Sequence, residues 1–198
     1  GNYSALTSPT INYASAGNFN VKLIGETSAG CKDSATKPVV IYQTPISSFQ
    51  GDSICEYDSL QLISSNSTFT YKWDLGDGSP TQTTYDVKHK YSTSGNYIVR
   101  LIVNNSTLCA DTSTQIIKVF EKPVINFSFD TNCAMRSSNF TNLSTISSGI
   151  NTLLFDWKFG DGGTSSSKNT SHMYSSSGSY SVQLKGTSAD GCKDSILS

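Results

Sequence analysis

The sequence is poor in charged residues and contains no long apolar run. Only 15% of its residues are charged and its formal net charge is −1. We therefore find no basic cluster that could neutralise nucleic-acid phosphates or bind an anionic membrane surface. No run of 18 apolar residues occurs, so the sequence predicts no transmembrane helix. We expect neither nucleic-acid binding nor membrane insertion in this segment.

Strong helix-forming residues are also scarce. Ala, Glu and Leu are few, whereas serine and threonine together make up more than a quarter of the chain. This composition disfavours helices and suits the exposed faces and turns of β-sheets.

Apolar and polar residues alternate in three segments, which is the period of a half-buried β-strand. The residues predicted to face a core are Phe69, Tyr71, Trp73 and Leu75; Tyr97, Val99, Leu101 and Val103; and Leu153, Phe155, Trp157 and Phe159. Short strands separated by frequent turn residues predict an all-β sandwich fold.

One unit of roughly 80 residues is repeated along the chain. Segments 11–34, 89–112 and 172–195 align without gaps. Their shared positions are a tyrosine (Tyr13, Tyr91, Tyr174), a glycine (Gly17, Gly95, Gly178) and a cysteine (Cys31, Cys109, Cys192). A second cysteine pair, Cys55 and Cys133, recurs at the same offset as Cys31 and Cys109.

The repeat predicts three units. Residues 1–43 form the C-terminal half of a first unit, residues 44–121 a complete second unit, and residues 122–198 a third unit with an incomplete last strand. Half a sandwich leaves its inner face open. We therefore expect the sequence to be a window from a longer array; the alternative is that a neighbouring chain donates the missing strands.

A hexapeptide occurs twice, as WDLGDG at 73–78 and as WKFGDG at 157–162. We interpret it as a core tryptophan followed by a strand-ending turn, because glycine bends sharply and an Asp-Gly pair tolerates positive φ. The residues of this structural motif are Trp73, Gly76, Asp77 and Gly78, and then Trp157, Gly160, Asp161 and Gly162.

These hexapeptides, followed by HKYSTSGNYIVRL around Tyr91 and HMYSSSGSYSVQL around Tyr174, resemble the PKD domain, an Ig-like β-sandwich. The resemblance covers essentially the whole chain. It implies tandem Ig-like (PKD-type) β-sandwiches arranged head to tail. The cysteine-bearing GC-x-D-[ST] hairpin is similar to PKD repeats of Bacteroidetes secreted or cell-surface adhesion and gliding proteins.

The resemblance also implies a candidate calcium site, because some PKD domains bind Ca²⁺ through carboxylates near this motif. The candidate ligands are Asp74 and Asp77 in the second unit. Lys158 replaces the first aspartate in the third unit, so no site is expected there. The alternative is that each aspartate caps its own turn. No other metal or cofactor is expected.

No catalytic constellation is present in the sequence. His89 and His172 occupy equivalent positions in different units, so they cannot readily share a metal or a triad, and we interpret them as structural residues beside the repeated tyrosine. GDGG lacks the lysine and helix of a phosphate-binding loop. We expect a protein that is not an enzyme.

The regular placement of the cysteines indicates disulfides and an oxidising compartment. In the Ig topology implied by the resemblance, Cys55 and Cys109 lie at opposite ends of one sandwich, too far apart for a bond. Head-to-tail stacking instead predicts an inter-repeat bond between Cys55 and Cys192. Cys31 and Cys109 would then bond to preceding units and Cys133 to a following one. The alternatives are within-unit bonds, Cys55 with Cys109 and Cys133 with Cys192, or free thiols.

Aspartate is followed by serine or threonine at six positions, which resembles the O-glycosylation signal of Bacteroidetes. The candidate glycosylation sites are Ser34, Ser53, Ser59, Thr112, Thr131 and Ser195. Chance pairs are also expected, because the chain is rich in both hydroxyl residues.

The sequence as a whole predicts a non-catalytic stalk segment of a long extracellular surface protein or filament, spacing an adhesive or binding region from the cell. Its expected partners are the neighbouring repeats and, if the protein forms a filament, other copies. One alternative is an accessory polysaccharide- or protein-binding PKD module of a secreted hydrolase; another is a protein-binding hub.

Overall fold

A computed structural model describes residues 3–64, 69–105, 109–147 and 153–198. These residues contain only strands, turns and extended segments, which agrees with the scarcity of helix formers. No described helix has the length and hydrophobicity needed to cross a membrane.

The first unit consists of one antiparallel hairpin. Strand β1 (Gly17–Glu26) pairs along its full length with β2 (Lys32–Ile41). Val21 and Leu23, which align with the core residues Val99 and Leu101 of the second unit, are 46% and 73% exposed here.

The second unit is a sandwich of two sheets. Its strands are β3 (Ile54–Cys55), β4 (Leu60–Ile63), β5 (Thr70–Asp74), β6 (Asp86–His89), β7 (Gly95–Asn104) and β8 (Ala110–Phe120). One sheet has the order β3-β8-β7-β5, in which β3 is parallel to β8, and the other pairs β4 with β6.

The third unit repeats this arrangement. Its strands are β9 (Phe127–Phe129), β10 (Ser137–Asn142), β11 (Leu154–Lys158), β12 (Thr164–Ser165), β13 (Thr170–Met173), β14 (Gln183–Thr187) and β15 (Lys193–Leu197). The sheets have the orders β13-β10-β9 and β12-β11-β14-β15. The predicted all-β fold of tandem Ig-like sandwiches is therefore confirmed.

Each sandwich has its own core around one tryptophan. Trp73 and Trp157 have no exposed surface, and each is met edge-on by a phenylalanine from the start of its unit, at centroid distances of 5.0 Å for Phe49 and 5.1 Å for Phe127. The predicted inward-facing residues of β5, β7 and β11 lie in or against these cores, so the period-two interpretation is confirmed.

Candidate functional site

The repeated hexapeptide forms the same turn in both complete units. The indole N–H of Trp73 donates to the carbonyl of Thr84 at 3.0 Å, and that of Trp157 donates to the carbonyl of Ser167 at 2.9 Å. These bonds tie the strand that carries the tryptophan to the segment that returns after the turn. A buried indole donor is thereby satisfied.

Two glycines of the turn have positive φ, but only the first is also enclosed. Gly76 has φ +78°, and a Cβ there would lie 2.6 Å from the carbonyl oxygen of Ile98. Gly160 has φ +85°, and a Cβ there would lie 2.7 Å from the carbonyl oxygen of Ser181. A side chain at either position is therefore excluded by backbone conformation and by space.

An aspartate–histidine pair closes the turn in each unit. Asp77 Oδ2 lies 2.6 Å from His89 Nε2, and Asp161 Oδ2 lies 2.7 Å from His172 Nε2. The other carboxyl oxygen, Oδ1, accepts a backbone N–H, from Ser79 at 3.0 Å and from Gly163 at 2.9 Å respectively.

These contacts lower the pKa of both carboxyls. Burial alone would raise the pKa of Asp77, but hydrogen bonds from Ser79 and His89 outweigh it and hold the pKa below its ordinary value. For Asp161 the hydrogen bonds from His172 and from the Gly163 backbone lower the pKa. The histidines also pack against the repeated tyrosines at 4.7 Å, as expected from the sequence.

The candidate calcium ligands have other partners in this structure. Asp74 Oδ1 accepts the backbone N–H of Gly76 at 3.0 Å, which makes it a cap of its own turn, and both oxygens of Asp77 are engaged as described. Within the described residues no three His, Cys, Asp or Glu side chains cluster in a way that could hold a metal ion. Calcium binding at Asp74 and Asp77 stays an untested prediction.

The repeated tyrosine anchors the end of each sandwich. The hydroxyl of Tyr91 donates to the carbonyl of Leu75 at 2.9 Å, and that of Tyr174 donates to the carbonyl of Phe159 at 3.1 Å. Burial, with a smaller effect of the Asp77 charge, raises the pKa of Tyr91 above its ordinary range. Both hydroxyls therefore stay neutral donors.

The structure joins Cys55 of the second unit to Cys192 of the third by a disulfide, with Cα atoms 5.7 Å apart. This is the inter-repeat pairing predicted from the head-to-tail arrangement. The within-unit alternative, Cys55 with Cys109 and Cys133 with Cys192, is not formed because Cys55 and Cys192 are already bonded to each other.

Cys55 lies in a turn that recurs at Cys133. Asp58 N donates to Cys55 O, and Arg136 N donates to Cys133 O, both at 3.1 Å. The third residue of each turn has positive φ, 62° at Tyr57 and 63° at Met135. Because the two turns align in the repeat and share this hydrogen bond and this φ, Cys133, which is exposed, has the backbone setting of the bonded Cys55.

The other three cysteines occupy equivalent hairpin loops, one in each unit. The amide of each donates to a side-chain oxygen four residues earlier, at 3.0–3.2 Å; the pairs are Cys31 with Thr27, Cys109 with Asn105 and Cys192 with Ser188. Cys31 and Cys109 therefore stand where Cys192 stands in its bonded hairpin.

Polar contacts hold the short linker between the second and third units from both sides. Glu56 Oε2 accepts the amide of Lys122 at 3.2 Å, and Lys122 Nζ lies 2.6 Å from Asp58 Oδ1. Glu121 Oε1 accepts both the amide and the hydroxyl of Ser147 at 2.9 and 2.7 Å. Pro123 is buried in this linker.

Sequence reasoning missed these linker contacts. Glu56 and Asp58 align with Ala134 and Arg136 in the third unit, so the repeat carries no signal for them. The sequence does carry a signal for the Asp77–His89 pair, because Asp161 and His172 occupy the equivalent positions in the third unit.

All six candidate glycosylation residues are exposed in the structure, including Ser53 and Ser59, which flank the Cys55 turn. Exposure is needed for modification, and whether these residues are modified stays a prediction.

A family model for the PKD domain matches residues 36–119 and again residues 120–197. The chain belongs to the PKD domain family. The two PKD matches meet at the linker described above.

The chain is also similar to individual proteins. It is 28% identical over 116 residues to Collagenase ColA of Clostridium perfringens; the match covers 58% of this chain and 10% of the collagenase. Similar solved structures include a carbohydrate-binding module of the β-sandwich superfamily, 21% identical with a TM-score of 0.39 over 74% of this chain and 55% of that one. Another is SGBP-B of the Bacteroides ovatus mixed-linkage glucan utilization locus, 16% identical with a TM-score of 0.30 over 92% and 51%. The chain thus spans about a tenth of the curated relative and about half of each of these structures.

The two glycines of the second-unit turn give a matched pair of substitutions. Gly76→Ala combines positive φ with a clash against Ile98 and should lower the free energy of unfolding by about 3 kcal/mol. Gly78→Ala has positive φ but nothing within 4 Å of the new Cβ, and should cost only about 1 kcal/mol. Denaturant unfolding followed by tryptophan fluorescence measures both, and equal losses would contradict the enclosed position of Gly76.

The lowered carboxyl pKa values predict an acid-dependent stability. A carboxyl whose pKa is lower in the folded chain stabilises the fold above its unfolded value, here 3.8, and this contribution is lost as pH falls through the folded pKa. Asp77→Asn and Asp161→Asn should therefore flatten the decline of the melting temperature below pH 4. His89→Gln should flatten it for the second unit as well. Melting curves from pH 5 to 2 that decline in parallel with wild type would refute the role of these pairs.

Proposed function

We propose that this chain is a non-catalytic segment of an extracellular stalk, in which PKD repeats follow one another and hold a binding or adhesive region away from a cell surface. The observation that carries the proposal is the Cys55–Cys192 disulfide, which joins two consecutive repeats. A bond between repeats adds nothing to a catalytic site, whereas it restricts how far one repeat can move from the next.

The linker supports the same interpretation. Glu56 of the second repeat accepts the amide of Lys122, and the amide of Ser147 in the third repeat donates to Glu121. The linker is therefore hydrogen-bonded to both sandwiches. Pro45 is buried at the equivalent position before the second repeat, as Pro123 is before the third. A linker fixed in this way behaves as a stiff spacer rather than as a flexible tether.

We propose that the same kind of disulfide forms at the neighbouring junctions. Cys31 and Cys109 lie in the hairpin position of Cys192, and Cys133 lies in the turn position of Cys55. In the proposed array, Cys31 and Cys109 bond to preceding repeats and Cys133 to a following repeat. The partners of this chain are then the adjacent repeats, with other copies as further partners if the protein forms a filament.

An extracellular location follows from the same chemistry. Structural disulfides form and persist in oxidising compartments. The exposed Asp-Ser and Asp-Thr pairs, such as those at Ser34 and Ser195, would carry glycans on the outside of the stalk.

A second candidate function is an accessory module of a secreted hydrolase, favoured by the similarity to a collagenase. Such a module would bind a polymeric substrate directly. Pull-down with insoluble collagen and with polysaccharides tests this possibility: saturable binding would favour the accessory module over the stalk.

Pulling the chain by its two ends in a single-molecule force experiment tests the proposed stalk. With the disulfide intact, force passes from Cys55 directly to Cys192, so the residues between them cannot be extended. Reduction should release an additional contour length of about 490 Å, from a sequence separation of 137 residues at about 3.6 Å each.

Two variants make this experiment specific. Cys55→Ser should show the long extension without reductant, whereas Cys133→Ser should behave as the wild type. The entropic constraint should also stabilise the oxidised chain by about 5 kcal/mol against unfolding. Equal extension of the oxidised and reduced wild-type chains would contradict the load-bearing bond.

A further inference from the structure

The disulfide between the second and third units is enclosed at one end. Cys192 is 0% exposed, whereas Cys55 keeps part of its surface exposed. The hairpin loop alone does not bury its cysteine, because the equivalent Cys109 of the second unit is partly exposed. The additional cover over Cys192 is therefore supplied where the second unit meets it.

Both cysteines are fixed to their own units by the backbone around them. The amide of Glu56, next to Cys55, donates to the carbonyl of Phe120 at 2.9 Å. In the hairpin, Cys192 N donates to Ser188 Oγ at 3.1 Å, and Ser188 N donates to Cys192 O at 2.8 Å. Because neither cysteine is on a loose segment, the covered end of the bond becomes accessible when the two units move apart.

Three charged residues oppose this separation. Glu56 Oε1 accepts the amide of Ser94 at 2.5 Å, and Glu56 Oε2 accepts the amide of Lys122 at 3.2 Å. Lys122 Nζ lies 2.6 Å from Asp58 Oδ1. We call Glu56, Asp58 and Lys122 the junction clamp, because they join the turn that carries Cys55 to the linker that leads into the third unit.

The enclosure limits how a thiol can reduce this bond. An attacking thiolate approaches one sulfur in line with the S–S bond and expels the other cysteine as a thiolate. Cys192 Sγ offers no such approach, since the residue has no exposed surface. Attack at Cys55 would expel the Cys192 thiolate into the same enclosed site, where burying a charge is costly. Both routes are therefore unfavourable while the units are in contact.

We propose that this disulfide is a gated bond: small thiols reduce it only after the second and third units separate, and the junction clamp determines how often they do. In the open state a dithiol attacks one sulfur, and the other cysteine leaves as a thiolate and takes up a proton. The second thiol of the reagent then attacks the mixed disulfide. The chain gains a thiol on each cysteine, and the dithiol is oxidised to a cyclic disulfide. This gating does not depend on the stalk function.

The kinetics of reduction by dithiothreitol test the gate. The full chain is reduced for increasing times and quenched with iodoacetamide, and mass spectrometry measures alkylation at Cys55 and Cys192. In the folded chain the rate should level off as the dithiothreitol concentration rises, because opening of the junction becomes rate-limiting. In concentrated guanidinium chloride the rate should stay proportional to the concentration. Exchange with the other thiols of the chain is prevented by the background substitutions Cys31→Ser, Cys109→Ser and Cys133→Ser.

Two substitutions in the clamp make the test specific. Glu56→Gln leaves one acceptor oxygen for two amides, and Lys122→Met removes the contact with Asp58. Each should raise the limiting rate about tenfold. The matched control is Lys88→Met, which changes an exposed lysine of β6 in the same unit and should leave the rate unchanged. Denaturant unfolding of each variant measures how far its global stability has changed.

Three results would overturn the proposal. A folded-chain rate that stays proportional to the dithiothreitol concentration and equals that of the unfolded chain would show that the bond is open to solvent. Equal limiting rates in the wild type, both clamp variants and the control would show that the clamp does not hold the junction closed. Limiting rates that change only as much as the free energy of global unfolding would show that a unit has to unfold before the bond is reduced.

Discussion

The buried indole N–H of Trp73, and its counterpart in Trp157, is the interaction around which each sandwich is arranged. Its partner is a backbone carbonyl 2.9–3.0 Å away on the segment that returns after the Gly-Asp-Gly turn. Because an unpaired buried donor is costly, that segment has to pass close to the ring. The turn before it must therefore be sharp, which explains the glycine with positive φ packed against a backbone carbonyl. The aspartate–histidine pair and the tyrosine hydroxyl then hold the same turn from its outer and inner sides.

Much of the fold could be predicted from two signals in the sequence, the alternation of apolar and polar residues and the internal repeat. Both follow directly from backbone geometry. Alternation along β5 and β11 places Tyr71, Trp73 and Leu75, or their counterparts, on one face, and only one face of each strand is buried. The repeat then carries each assignment from one unit to the next.

The contacts at the linker could not be predicted for a different reason. Glu56, Asp58 and Lys122 align with Ala134, Arg136 and Thr44, which differ from them in chemistry, so they look like ordinary surface charges. Their partners lie some 64 to 66 residues away in sequence, and only the folded arrangement brings them together. The junction between the second and third units therefore combines a repeated element, the cysteine pair, with contacts particular to this junction. The repeated element determines which repeats are joined, and the particular contacts determine how that linker lies between them.

The cysteine spacing has a mechanical consequence for the proposed array. The same short stretch of chain separates Cys31 from Cys55 and Cys109 from Cys133. If each hairpin cysteine is bonded to the preceding repeat and each turn cysteine to the following one, covalent force crosses a junction through one such stretch. It then crosses the next junction through a disulfide. Two paths of this kind interleave along the array, so each junction is spanned by a backbone segment of one path and a disulfide of the other. The loaded segments contain the last strand of a unit and its proline-bearing linker. The tryptophan, its turn and the aspartate–histidine pair lie outside them, so these parts of each sandwich are protected from the load that the array would carry.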